Sequence, residues 1–294
     1  MKTILIATDY SRCANNALEY AAALAKGLHA RLVVFYAFNL ALVPPTTAAD
    51  YVPDVDDLIW ENNERLNTIG AKVSEAYGIE VIGVSTTDLV LDGLKKQVKK
   101  FDVDLLVLGL RGKSIFTRVL GTITTSVIKR SKCPVLLVPE DAAFRGIRKI
   151  LFACNYRYLS SNSKLEAIYE IASTYQAQVQ ILHVEKDVDF IPSHFQKHIN
   201  RNKTNMEELL RGIKHNYRFL HEDDIHEGIK RGTEELNADV LVMVPHKPVF
   251  LKSLIHPSVT KKMVLHTHIP LLALPNIKNS KAAKEEQQPE KASL

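Results

Sequence analysis

Two stretches of this chain align with each other without a gap, and nothing else in it confines the fold so tightly. Setting "LGLRGKSIFTRVLGTITTSVIKRSKCPVLLVP" (Leu108 to Pro139) above "VPHKPVFLKSLIHPSVTKKMVLHTHIPLLALP" (Val244 to Pro275) puts Pro134 on Pro270, Thr122 on Ser258, and "PVLLVP" on "PLLALP". The starts match as well, "KTILIATDYS" (Lys2 to Ser11) with "RKILFACNYR" (Arg148 to Arg157). Self-similarity of this kind means one structural unit used twice. With 294 residues, each unit has a length at which a single buried core is comfortable. The expected organisation is a domain over 1–140, a second copy over 146–277 and a tail over 278–294.

Within a copy the order of signals repeats. A β-branched run ends at Asp9 and Ser11, either of which is suited to cap the helix beginning near Ala14. A strand "ARLVVFYAF" follows, then a loop with Pro44 and Pro45, a long helix around Asp54 to Tyr77 and a strand "IEVIGVST". A helix near Leu89 to Lys100, the strand "DLLVLG", a glycine loop, a helix over Thr122 to Ser131 and "PVLLVP" complete it. Continuous Val, Ile and Leu strands alternating with helices predict a parallel sheet covered on both faces. The fold class is therefore α/β, two tandem doubly wound parallel-sheet domains of Rossmann-like type. In such sheets ligands bind at the carboxyl ends of the strands, where the strand order reverses.

Composition excludes several functions. No apolar run approaches the roughly 20 residues that span a bilayer. The opening residues lack a cleavable secretion signal, so a cytoplasmic location and no membrane partner are expected. Cys13, Cys133 and Cys154 are too scattered for a disulfide framework or a thiolate metal site and are expected to be small buried side chains. The net charge of +5 comes from 38 basic residues interspersed with 33 acidic ones, with no dense basic run, so no nucleic-acid partner is expected. The tail "KNSKAAKEEQQPEKASL" has too few large apolar residues to offset the entropy of ordering, and disorder is expected there.

Gly109, Gly112 and Gly121 punctuate the loop between two apolar strands, and Gly121 with Thr122 opens a helix. Glycine lets backbone N–H groups approach a ligand, and a helix N-terminus favours phosphate. These residues suit a phosphate cradle with Thr122 and Ile123 as donors, or they relieve a crowded turn. Spacing alone leaves both open.

An Asp after the first strand, then G-x-x-G, then a further G followed by Ser or Thr, resembles the universal stress protein family, and the similarity extends over both halves. The resemblance implies adenine nucleotide alpha-hydrolase-like domains that bind ATP or AMP. It implies that Asp9 contacts the adenine side, that Gly109 and Gly112 lie by the ribose and α-phosphate, and that Gly121, Thr122 and Ile123 hold the outer phosphates. Arg111 fills the polar slot before the second glycine, and Thr8 and Ala37 complete the candidate binding set. It also implies that the last strands meet antiparallel, Val135 to Val138 against Leu271 to Leu274, giving an intrachain pseudo-dimer. A further homodimer and a protein partner are left open. One departure stands out: eight residues, Lys113 to Leu120, separate Gly112 from Gly121 where the family pattern has nine. Such a loop closes differently over a triphosphate, favours AMP or takes no nucleotide, and Lys113 and Arg118 are either phosphate ligands or plain surface charge.

In the gapless alignment Gly109, Gly112 and Gly121 become Pro245, Pro248 and Pro257, while Asp9 becomes Asn155. Proline has no N–H and fixes φ, so nucleotide binding is expected in the first copy only. His194 and His198 have an i, i+4 spacing, and His246, His256, His266 and His268 fall in or near the proline-bearing loop, but none matches a strong zinc signature. Any metal is left unassigned. His183 is expected at the edge of the core. There is no G-x-S-x-G elbow and no evident base or metal pair for ATP hydrolysis, so no catalytic residues are assigned. Binding as a regulatory signal is the leading expectation, a nucleotide-free interaction module the alternative and slow hydrolysis the least favoured.

Overall fold

A computed structural model describes residues 1–38, 55–111, 122–155, 164–185, 193–245 and 259–275. The first copy contributes β1 (Thr3–Thr8), α1 (Arg12–Leu28), β2 (Arg31–Ala37), α2 (Val55–Tyr77), β3 (Val81–Thr86), α3 (Val90–Lys100), β4 (Leu105–Leu110), α4 (Thr122–Arg130) and β5 (Val135–Pro139). The second contributes β6 (Lys149–Ala153), α5 (Glu166–Tyr175), β7 (Gln178–Glu185), α6 (Ser193–Leu209), β8 (His215–His221), α7 (Ile225–Leu236), β9 (Val240–Met243), α8 (Val259–His266) and β10 (Leu271–Ala273). The strands form one ten-stranded sheet in the order β3-β2-β1-β4-β5-β10-β9-β6-β7-β8. Each copy is parallel within itself, so the expected doubly wound architecture is present twice.

Strand residues alternate between two cores, as a pleat with two covered faces requires. Ile4, Ile6, Leu32 and Val34 belong to the core that also holds residues of α1, α2, α5 and α6, while Leu5, Val33 and Phe35 belong to the one that holds residues of α3, α4, α7 and α8. The copies join where β5 and β10 pair antiparallel, Leu136 opposite Leu272, Leu137 opposite Leu271 and Val135 opposite Ala273. Leu136 and Leu272 are equivalent residues of the two copies, so the pseudo-two-fold axis passes between them. The pairing removes the apolar edge that each strand would otherwise expose.

Helix packing reinforces this seam. The Tyr175 hydroxyl of α5 donates to the Leu24 carbonyl of α1 at 3.3 Å, and Phe144 packs edge-on between Tyr20 and Tyr175. A Cβ at Gly27 would stand 2.0 Å from the Tyr175 hydroxyl oxygen, so glycine is what lets the helices come this close. The Asn16 amide donates to the Pro139 and Ala142 carbonyls, fixing the path out of β5.

The register corrects the gapless alignment. Ile4 and Ile150 begin equivalent strands; Ile4 pairs with Leu105, and Ile150 with Val240. Continuing along that register, Leu108 corresponds to Met243 and Gly109 to Val244, not Pro245. Past the loop the alignment holds, since Ser131 and Thr267 make the same turn bonds to Cys133 and Ile269. The second copy therefore carries one residue more between β9 and α8 than the first carries between β4 and α4. The eight-residue spacing is a shortening relative to the chain's own second copy.

His183 lies inside rather than at the edge: it is buried within β7, donating from Nδ1 to the Cys154 carbonyl at 3.0 Å with Nε2 2.8 Å from Glu185. All three cysteines are buried, and none forms a disulfide with another. The tail 278–294 lies outside the described residues, as do His246 and His256 and the side chains of His194, His198 and His266. Among the described residues no helix is long and apolar enough to cross a membrane, and no group of three or more His, Cys, Asp or Glu is arranged to hold a metal.

Candidate functional site

In the first copy the strand order reverses between β1 and β4, and the turn from β1 into α1 is built there by side chains. The Thr8 hydroxyl accepts the Tyr10 N–H at 3.0 Å, and Asp9 Oδ1 accepts the Ser11 N–H at 3.0 Å. Tyr10 takes a left-handed φ of 59°, which those two bonds sustain. Ser11, in extended backbone, then caps α1 by accepting from Ala14 N at 3.2 Å. Of the two capping candidates Ser11 does the work, worth about 1 kcal/mol, and Asp9 stays at the mouth of the crevice.

Across the crevice Arg111 leaves β4 and places Nη2 3.1 Å from Asp9 Oδ2. Partial burial raises the Asp9 pKa, but the Ser11 hydrogen bonds and the Arg111 charge outweigh it, and the carboxyl titrates below its ordinary range. A depressed folded-state pKa stabilises the protein above the unfolded pKa of about 4 and loses that contribution as pH falls through the folded value. The melting-temperature gap between wild type and Asp9→Asn is thus expected to be positive near neutrality and to shrink in acid. A gap independent of pH would show that Asp9 is not held this way.

Gly109 has a structural reason to be glycine. A Cβ there would lie 2.8 Å from Cys13 Sγ and 2.9 Å from the Cys13 carbonyl oxygen, because α1 starts directly behind β1 and crosses over the end of β4. The second copy's α5 starts only at Glu166, and a valine is accommodated at the matching strand position. Of the two sequence readings for this glycine, the crowded turn holds on the protein side. Burial, with help from Glu140 and Asp9 and opposed by Arg111, pushes the Cys13 thiol up to about 11, so little thiolate forms near neutrality.

Sequence reasoning missed an aromatic buttress beside Asp9. Tyr10 packs on Tyr36 with ring centroids 4.5 Å apart, Tyr36 stacks on Phe38 at 6.1 Å, and the Arg65 guanidinium of α2 lies 3.8 Å above the Tyr10 ring. Burial, opposed by Arg65, raises the Tyr10 phenol to about 12, so it stays protonated at neutral pH. The signal was legible only in part: Tyr36 and Phe38 alternate in "FYAF", but nothing local joins Arg65 to Tyr10. Ala37 ends β2 opposite Thr86 and packs toward the α3 side, away from Tyr36. Thr122 opens α4 and Ile123 is 42% exposed in its first turn, while Gly112 and Gly121 lie outside the described residues, with Lys113 and Arg118.

Asp9 is 57% exposed, and its ionised carboxylate keeps lone pairs beyond those that Ser11 and Arg111 engage, so it can accept a further hydrogen bond. A doubly wound domain with an acidic residue at its switch point defines a class of α/β modules that take ligands at the carboxyl ends of their strands. The universal stress protein family model matches residues 1–139. A universal stress protein of Methanocaldococcus jannaschii is 26% identical over 140 residues, 47% of this chain and 82% of that protein. A universal stress protein A homologue of Coxiella burnetii is 27% identical over 86 residues, 29% of this chain and 57% of its own length. The crystal structure of a universal stress protein from Archaeoglobus fulgidus covers 94% of this chain and 98% of its own, with a TM-score of 0.69 and 20% identity, a likeness of fold. Residues 1–139 belong to the universal stress protein family, and the second copy follows the first in architecture.

Proposed function

We propose that this is a cytoplasmic stress-response protein that binds an adenine nucleotide, ATP or AMP, in its first half (1–140) as a regulatory signal, with the second half (146–277) serving structure or partner binding. The observation that carries the reading is Asp9: an ionised, solvent-facing carboxylate held by Ser11 and Arg111 at the reversal point of a doubly wound sheet. Family membership and the helix N-terminus at Thr122, suited to phosphate, support it. The binding set is Thr8, Asp9, Ala37, Gly109, Arg111, Gly112, Gly121, Thr122 and Ile123, with Thr8 and Gly109 shaping the backbone rather than donating. Asn155 replaces the carboxylate in the second half, which removes that acceptor charge. The shortened segment between β4 and α4 favours a second reading, a nucleotide-free interaction module.

Calorimetric titration of ATP and AMP separates the two. About one nucleotide per chain is expected, with binding lost in Gly121→Pro while the fold persists, because Pro257 occupies the equivalent place. No heat from either nucleotide at millimolar concentration would leave the interaction module.

A further inference from the structure

We propose that Arg111 gates the site by exchange of partners: its guanidinium occupies the Asp9 carboxylate until a ligand's phosphate draws it away, so the crevice selects nucleoside phosphates over nucleosides. The inference rests on the nucleotide reading above and adds the basis of its selectivity.

Asp9 has two oxygens, and both are engaged. Oδ1 is held inside the turn by the Ser11 amide, while Oδ2, on the crevice side, is held by Arg111 at 3.1 Å. A base that approaches Oδ2 competes with the guanidinium for it. The Arg111 side chain is 74% exposed and has no other ion pair among the described residues, so it can swing without disturbing the core. Its root is fixed, because the Leu110 carbonyl accepts the Glu140 N–H at 3.1 Å and Leu110 pairs with Pro139. The motion available is therefore a side-chain rotation about an anchored strand end, away from Asp9.

The energetics favour an exchange only for a charged ligand. An exposed ion pair is worth no more than about fivefold in an equilibrium constant, so it is readily opened. A guanidinium fork binds phosphate by parallel charge-assisted hydrogen bonds, stronger than neutral ones. A nucleoside that takes over Asp9 leaves Arg111 without an anion, whereas a nucleotide supplies one. Selectivity is then a difference between two bound states.

Titration calorimetry with AMP and adenosine on wild type, Arg111→Ala and Arg111→Lys tests this, with thermal melts to verify folding. In Arg111→Ala, AMP is expected to weaken about tenfold and adenosine to tighten by up to about fivefold, since Asp9 is freed. Arg111→Lys, which keeps the charge but loses the fork, should retain part of the preference for AMP. Equal weakening of both ligands, or an AMP-to-adenosine ratio unmoved by either substitution, would overturn the exchange and leave nucleotide binding standing. Wild type that binds neither ligand, with Arg111→Ala also silent, would overturn both. Adenosine binding that appears only in Arg111→Ala would support the gate directly.

Discussion

Leu136→Asp or Leu272→Asp is expected to unfold the chain outright. The two leucines face each other on the pseudo-two-fold axis, 2% and 0% exposed, inside the core shared by α1 and α5. Truncating a buried leucine alone costs about 2–5 kcal/mol, and an unpaired carboxylate in the same place adds a desolvation penalty of several more. The sum approaches the whole stability of a typical domain, about 5–15 kcal/mol. Urea and thermal denaturation followed by circular dichroism would register this as loss of the folded baseline at 25 °C. A variant melting within a few degrees of wild type would mean that β5 and β10 do not pair in solution. Leu136→Ala should fall between, destabilised but folded.

The second large effect concerns Gly109. Gly109→Val is expected to destabilise by about 3 kcal/mol, the upper range for overpacking a tight site, because the new Cβ meets the Cys13 carbonyl carbon and oxygen at 3.0 and 2.9 Å as well as the sulfur at 2.8 Å. Backbone cannot rotate away as a side chain can. Adding Cys13→Ala to Gly109→Val should therefore recover little, since it removes the sulfur and leaves the carbonyl. Val244→Gly, at the matching position of the second copy, should cost only the loss of a half-buried side chain, about 1 kcal/mol. Chemical denaturation midpoints for the four proteins decide the matter: full rescue by Cys13→Ala would show that the sulfur alone sets the limit.

The contrast between these two positions explains what could be read in advance. The duplicated signals and the parallel sheet were legible because each depends on patterns of apolar residues that repeat along the chain, whereas the pairing of β5 with β10 was implied by the family resemblance. The correspondence of Gly109 was not. Three prolines facing three glycines made a persuasive gapless alignment, but the strands of a sheet are matched by hydrogen-bond register, and a slip of one residue between two runs of Val, Leu and Met leaves the letters looking equally good. Only the pairing of β9 with β6 showed that the second copy carries the extra residue. Asp9 stood out as a candidate through the family resemblance, yet its partner Arg111, 102 positions away, was legible only as a polar slot.

By itself the sequence determined that one α/β unit is used twice, that its strands are buried on both faces and that an acidic residue in the first copy is answered by Asn155 in the second. Those properties follow from periodicity, propensity and composition, which act over a few residues at a time. The tertiary structure decided that Gly109 answers to the back of Cys13, that Tyr10 is braced by Tyr36 and Arg65, and that Leu136 meets its own counterpart on the axis. Each of these is a contact between residues far apart in the chain, set by how closely a helix lies on a sheet, and no local pattern encodes that distance.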